Sequence, residues 1–169
     1  GKSQSEARAA EEAAAAEAAK TPIQRLKSVE PVPLPDVMSC LRIRQMTPFG
    51  NMHLKITVDP RTERELEVFA QLGKGGDVAN SDLEAICRLL SLFLRCGGPL
   101  RLAIKQLDGI GSSLTVPTKS GRIASLGDGL AKGLLRYLRA KEMFGLKALL
   151  LGEFDLTDLD ARLRGEATG

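Results

Sequence analysis

Histidine is almost missing from this chain: His53 stands alone among 169 residues. Any Ser-His-Asp arrangement would have to be built on that one position, which lies beside basic residues with no obvious nucleophile near it in the pattern. Cysteine is scarce as well. Cys40, Cys87 and Cys96 are an odd number with no CxxC spacing, which excludes a disulfide framework, makes a poor zinc ligand set and points to a reducing cytoplasm. Long apolar runs are lacking. Those around Leu89 to Leu94 and Leu146 to Leu151 fall far short of the ~20 residues that a membrane helix needs, and the N-terminus carries no secretory pattern. Charge of one sign is lacking too, since 24 Lys and Arg face 21 Asp and Glu for a net +3. That balance does not by itself argue for nucleic acid, so the local placement of charge has to decide.

What is present is enough apolar material, 43% of residues, for one ordinary core and its tails. Residues 1 to 20, GKSQSEARAAEEAAAAEAAK, favour helix but offer no large side chain to bury. Pro22, Pro31, Pro33 and Pro35 then impose an extended path. Residues 1–40 read as a linker, extended or helical.

From Leu41 the apolar period becomes two. Leu41 and Ile43, then Met52, Leu54, Ile56 and Val58, then Leu66, Val68, Ala70 and Leu72 alternate with polar neighbours, which predicts three half-buried strands. Pro48, Gly50 and Asn51 supply one turn and DPRTER at 59–64 the other, so a meander is expected. The period then turns helical through Leu83, Ile86, Leu90, Phe93 and Leu94, with Ser81 and Glu84 in a capping-box pattern and Gly97 and Gly98 as a stop. Pro99 opens a shorter helix. Residues 109–122 read as irregular, and Leu126, Leu130, Leu134 and Leu138 mark a third helix weakened by Gly129 and Gly133. The fold class is α+β: a three-stranded antiparallel sheet followed by two to three helices packed on one face. The segments are a linker at 1–40, an α+β domain at 41–125 and a helical extension at 126–169.

The candidate chemistry is anion binding. Lys74, Gly75 and Gly76 sit between a strand and a helix N-terminus, where backbone N–H groups and a lysine can hold a phosphate, although the order matches neither a P-loop nor a dinucleotide fingerprint. The competing reading is a turn whose glycines supply positive φ. Arg42, Arg44, His53 and Lys55 share the outward side of the first hairpin. Set against this, no aromatic is expected among them to stack a base, and Glu65 and Glu67 are expected on the same face. Lys132, Arg136 and Arg139 form a basic stripe, read as a solvated face or a docking surface, and Asp155, Asp158 and Asp160 read as a solvated helix end. No catalytic residue and no metal ligand is assigned.

The runs TPFGNMHLKITVDP, EVFAQLGKGG, SDLEAICRLLSLFLRCGG and IKQLDGIGSS resemble the TSCPD domain found near the C-terminus of adenosylcobalamin-dependent, class II ribonucleotide reductases. The likeness covers about residues 41–125. It implies an accessory domain with an interdomain or regulatory role, partnered by the reductase catalytic region, in an enzyme whose adenosylcobalamin is held elsewhere and not by this chain. Two departures stand out. Gly111, Ser112 and Ser113 replace a cysteine that family members often carry, and GEATG holds no cysteine pair of the kind such reductases commonly end in. Either that tail lies outside this segment or this is not the redox end. The alternative is a stand-alone module whose basic face binds a protein or nucleic acid. An enzyme acting alone has least support.

Overall fold

Alternating apolar residues become the buried side of a sheet in the computed structural model of the chain, which describes residues 1–74, 76–111, 116–118, 121–154 and 156–165. Strands β1 (Ser39–Thr47), β2 (Gly50–Val58) and β3 (Glu65–Leu72) pair antiparallel in the order β1-β2-β3, the expected meander. Met52, Leu54, Ile56 and Val58 of the central strand are fully buried, and Ile43, Val68 and Leu72 join them. Gly50 has φ +102°, so the first turn uses the backbone freedom that glycine alone offers cheaply. In the second turn the Asp59 carboxylate accepts from the Arg61 amide at 2.9 Å and the Thr62 hydroxyl at 3.0 Å.

Residues Gly1–Glu30 form a unit of their own. Helix α1 (Lys2–Ala19) buries no residue, as its alanine-rich composition implies. The second unit begins at Pro31, and the Val32 amide donates to the Arg95 carbonyl at 3.0 Å.

Helix α2 (Asp77–Arg95) runs along the free edge of β3. An edge strand leaves backbone groups unpaired, and one face of α2 satisfies them. The Leu72 amide donates to Asn80 Oδ1 at 2.9 Å. The Ala70 amide meets the Cys87 sulfur. Ser91 Oγ accepts from the Val68 amide and donates to the Val68 carbonyl, both at 3.0 Å. The capping box expected at Ser81 and Glu84 does not form, because α2 starts a turn earlier with Gly76 as its N-cap and Asp77 complementing the helix dipole. Gly97, with φ +97°, ends the helix as expected.

Helix α3 (Leu100–Leu107) follows Pro99, and a short hairpin of β4 (Val116–Thr118) and β5 (Gly121–Ile123) occupies part of the stretch read as irregular. Helix α4 (Leu126–Phe144) then buries Leu130, Leu134, Tyr137 and Ala140 in the same core as the strands, with α5 (Leu146–Leu150) and α6 (Leu156–Leu163) after it. Gly129 and Gly133, read from the sequence as weak points, are contact points. A Cβ on Gly129 would lie 2.7 Å from Thr47 Cγ2, and one on Gly133 2.9 Å from Leu54 Cδ2. At its start the Ser125 hydroxyl accepts from the Asp128 amide at 3.0 Å, and buried Asp128 accepts from the Gly109 and Ala124 amides at 2.9 and 3.0 Å.

Alanine favours a helix over glycine by roughly 1 kcal/mol, so Gly129→Ala or Gly133→Ala would stabilise a free helix. In this chain each substitution is expected to lower unfolding stability instead, by about 1–3 kcal/mol of overpacking strain, read from urea unfolding followed by circular dichroism. A raised midpoint would show that α4 does not press on the sheet.

Candidate functional site

Burying one side of the sheet leaves the other to solvent, and the register sets which side chains meet there. Arg42 lies opposite Lys55, and Lys55 opposite Phe69. In the adjoining row Arg44 lies opposite His53, and His53 opposite Gln71. Directly opposed residues in antiparallel strands have Cβ atoms about 4.5–5.5 Å apart, so each row is a contiguous strip. Arg42 Nη1 and His53 Nδ1 are 3.0 Å apart, which ties the two rows together. Arg42, Arg44 and Lys55 are exposed.

Two expectations for this face are corrected. An exposed aromatic is present: Phe69 is 40% exposed and stands directly across from Lys55. Period-two alternation places residue 69 with 67 and 71, so the signal was in the sequence. Glu65 is not on the face. The register shifts between Thr57 and Val58, which puts Glu65 opposite Val58 and turns its carboxylate toward Lys141 on α4, at 3.5 Å. A bulge adds one residue and reverses the side to which the strand's side chains point. Of the two carboxylates, only Glu67 remains to oppose the basic rows.

The glycine loop begins at the end of this face. The Gly73 amide donates to the Asn51 carbonyl at 3.2 Å, and a Cβ on Gly73 would lie 3.4 Å from His53 Nε2. Lys74 is exposed, and Gly76 has φ −68°. Neither Gly73 nor Gly76 takes the positive φ of the competing turn reading, and Gly75 lies outside the described residues. Because Asp77 already occupies the first turn of α2, an anion here relies on side chains more than on the helix dipole. Beside the loop is a cleft of about 510 Å³ lined by His53, Lys55, Phe69, Gln71, Ser81 and Glu84. Arg42, Arg44, His53 and Lys55 are thus gathered on one face, with Lys74 and Gly76 beyond its end.

The other candidates resolve differently. Lys132 is held by Asp108 and lies 3.6 Å from Asp128, and the hydrogen bond to Asp108, with both carboxylates, raises its pKa. Arg136 makes a two-pronged contact with Asp160 at 2.7 and 3.1 Å and also donates to Gln45 Oε1 at 3.0 Å. The stripe on α4 is therefore largely paired, and Asp160 is buried, so it is no solvated helix end. Asp155 lies outside the described residues. Among the described residues no group of His, Cys, Asp and Glu could hold a metal ion, and no helix is long and apolar enough to cross a membrane.

A family model, the TSCPD domain, matches residues 36–138. The chain belongs to the TSCPD domain family, and the match takes in the sheet, α2, α3 and most of α4. No curated protein and no solved structure matches it.

Cys87, Cys40 and Cys96 are all free. Burial pushes the Cys87 thiol up from 9.0 to about 11. A group whose folded pKa is raised contributes stability below its unfolded pKa and loses it as pH climbs through the folded value. Stability is therefore expected to fall between pH 9 and about pH 11 by on the order of 2 kcal/mol, and Cys87→Ala should flatten that slope. A thiol reagent at pH 8 should label exposed Cys40 in the native chain and reach Cys87 only on unfolding.

Proposed function

We propose that this chain is an accessory domain of an adenosylcobalamin-dependent ribonucleotide reductase, acting in interdomain contact or regulation through its outward sheet face. The observation that carries the reading is the TSCPD match across residues 36–138, a domain associated with ribonucleotide reductase. In this reading the catalytic barrel and its adenosylcobalamin lie in another region or chain, and the setting is the cytoplasm.

What supports a nucleotide-linked role is positive charge gathered on one face, with Lys55 at the wall of the cleft. Arg42, Arg44 and Lys55 supply fixed or readily available positive charge from two adjacent strands, and Lys74 adds another from the loop after the third. Arginine offers a planar fork to phosphate oxygens and lysine a mobile point charge, so the set suits a phosphate chain better than a single carboxylate. The strands that carry it are rigid, since their other side is the core. Regulation by nucleotide would then mean that occupancy of this face changes how the domain meets the catalytic region, a coupling that is reciprocal by linkage.

Calorimetric titration of the folded chain with ATP and dATP tests the reading. Binding is expected, weakened about tenfold by Lys55→Ala, the weight of one charge-assisted contact, and also reduced by Lys74→Ala if the loop contributes. No heat with either nucleotide, from a chain with native circular dichroism, would discard nucleotide binding and leave a docking domain.

A further inference from the structure

Phe69 stays 40% exposed on a strand whose Val68 and Leu72 are buried in the core. Its neighbours on the same strand and side are Glu67 and Gln71, and its cross-strand neighbour is Lys55, with Arg42 next in the row. Among the described residues, the ring is not part of the buried core cluster. The ring stands directly across from Lys55 at the wall of a cleft of about 510 Å³, a volume within the range of small-ligand sites.

Resting on the nucleotide reading, we infer that Phe69 is the base-stacking platform of this face, and that its ligand is a free nucleoside triphosphate lying across the strands. The base covers the Phe69 ring, and the phosphates extend along the row to Lys55 and Arg42. Two strand spacings of roughly 4.8 Å separate the ring's strand from that of Arg42, a span comparable to the reach from a base to the phosphates of an extended nucleotide. Gln71, Ser81 and Glu84 stand at the cleft wall around the ring, where their polar ends can meet the base edge. Every base has a π-face, so the ring secures nucleotides as a class, while the cations secure phosphate. The His53 ring, bonded to Arg42 at 3.0 Å, holds that guanidinium on the face.

The chain has no tryptophan, so Phe69→Trp places a single reporter at the site. ATP is expected to quench its fluorescence, and inorganic tripolyphosphate is expected to bind without quenching. Phe69→Leu should weaken ATP roughly tenfold, the weight of one stacked base, and leave tripolyphosphate unchanged. Unchanged ATP affinity in Phe69→Leu and no quenching in Phe69→Trp, with Lys55→Ala still weakening both ligands, would overturn the stacking platform and leave the phosphate reading standing. Failure of the native chain to bind either ATP or tripolyphosphate would overturn both. A single-stranded oligonucleotide that binds more tightly than ATP, with a steep fall in added salt, would overturn the assignment of a free nucleotide in favour of a strand.

Discussion

The closeness of α4 to the sheet is the constraint on which the architecture depends. Side chains ordinarily hold a helix off the sheet it covers, yet α4 presents Gly129 to Thr47 and Gly133 to Leu54 with no room for a methyl group. The backbone itself becomes the contact surface there. That nearness allows Leu130, Leu134 and Tyr137 to reach into the layer formed by Met52, Leu54 and Ile56, so that the central strand is completely enclosed on one side. It also costs helix propensity, which the cap at Ser125 and the buried Asp128 carboxylate offset by fixing the first turn and the preceding segment together.

The enclosure is one-sided, and the sheet's edge is treated differently from its faces. Along β3, the three polar or sulfur-bearing residues Asn80, Cys87 and Ser91 of α2 each meet a successive outward-facing backbone position, Leu72, Ala70 and Val68. A helix laid on an edge in this way removes the template for strand addition. The outward face of the sheet stays open to solvent. It presents side chains and not backbone, among them Arg42, Arg44 and Lys55.

Much of the fold was legible because strands with one buried side write their alternation directly into sequence; the meander, the turn at Gly50 and the stop at Gly97 all follow from single residues and a period. The hidden parts have a common origin in non-local contacts. Gly129 and Gly133 look like helix weaknesses until the partner surface is known, because close approach cannot be seen from one helix. Ser81 and Glu84 carry a capping-box pattern, but the start of α2 is set a turn earlier at Gly76 and Asp77. The basic residues Lys132 and Arg136 could be grouped by helical spacing, yet their pairing with Asp108 and Asp160 joins segments more than 20 residues apart. For the site, Arg42, Arg44 and Lys55 were readable by alternation, and so was Phe69, whose place on the same side follows from the same period.

The bulge at Thr57 and Val58 links the stability of the core to the charge of the face. Without the extra residue, Glu65 would stay on the outward side with Glu67 and add a second negative charge to that face. With it, Glu65 turns inward, where Lys141 neutralises it and where it stands close enough to buried Tyr137 that burial, and then the Glu65 charge, hold that phenol protonated. The ion pair is partly buried and worth little as a net stabiliser. Its larger effect is on the far side of the strand, where the outward face keeps its positive charge. A one-residue irregularity thus divides the charges of β3 between two surfaces, and the side left with the cations is the side on which Phe69 is exposed.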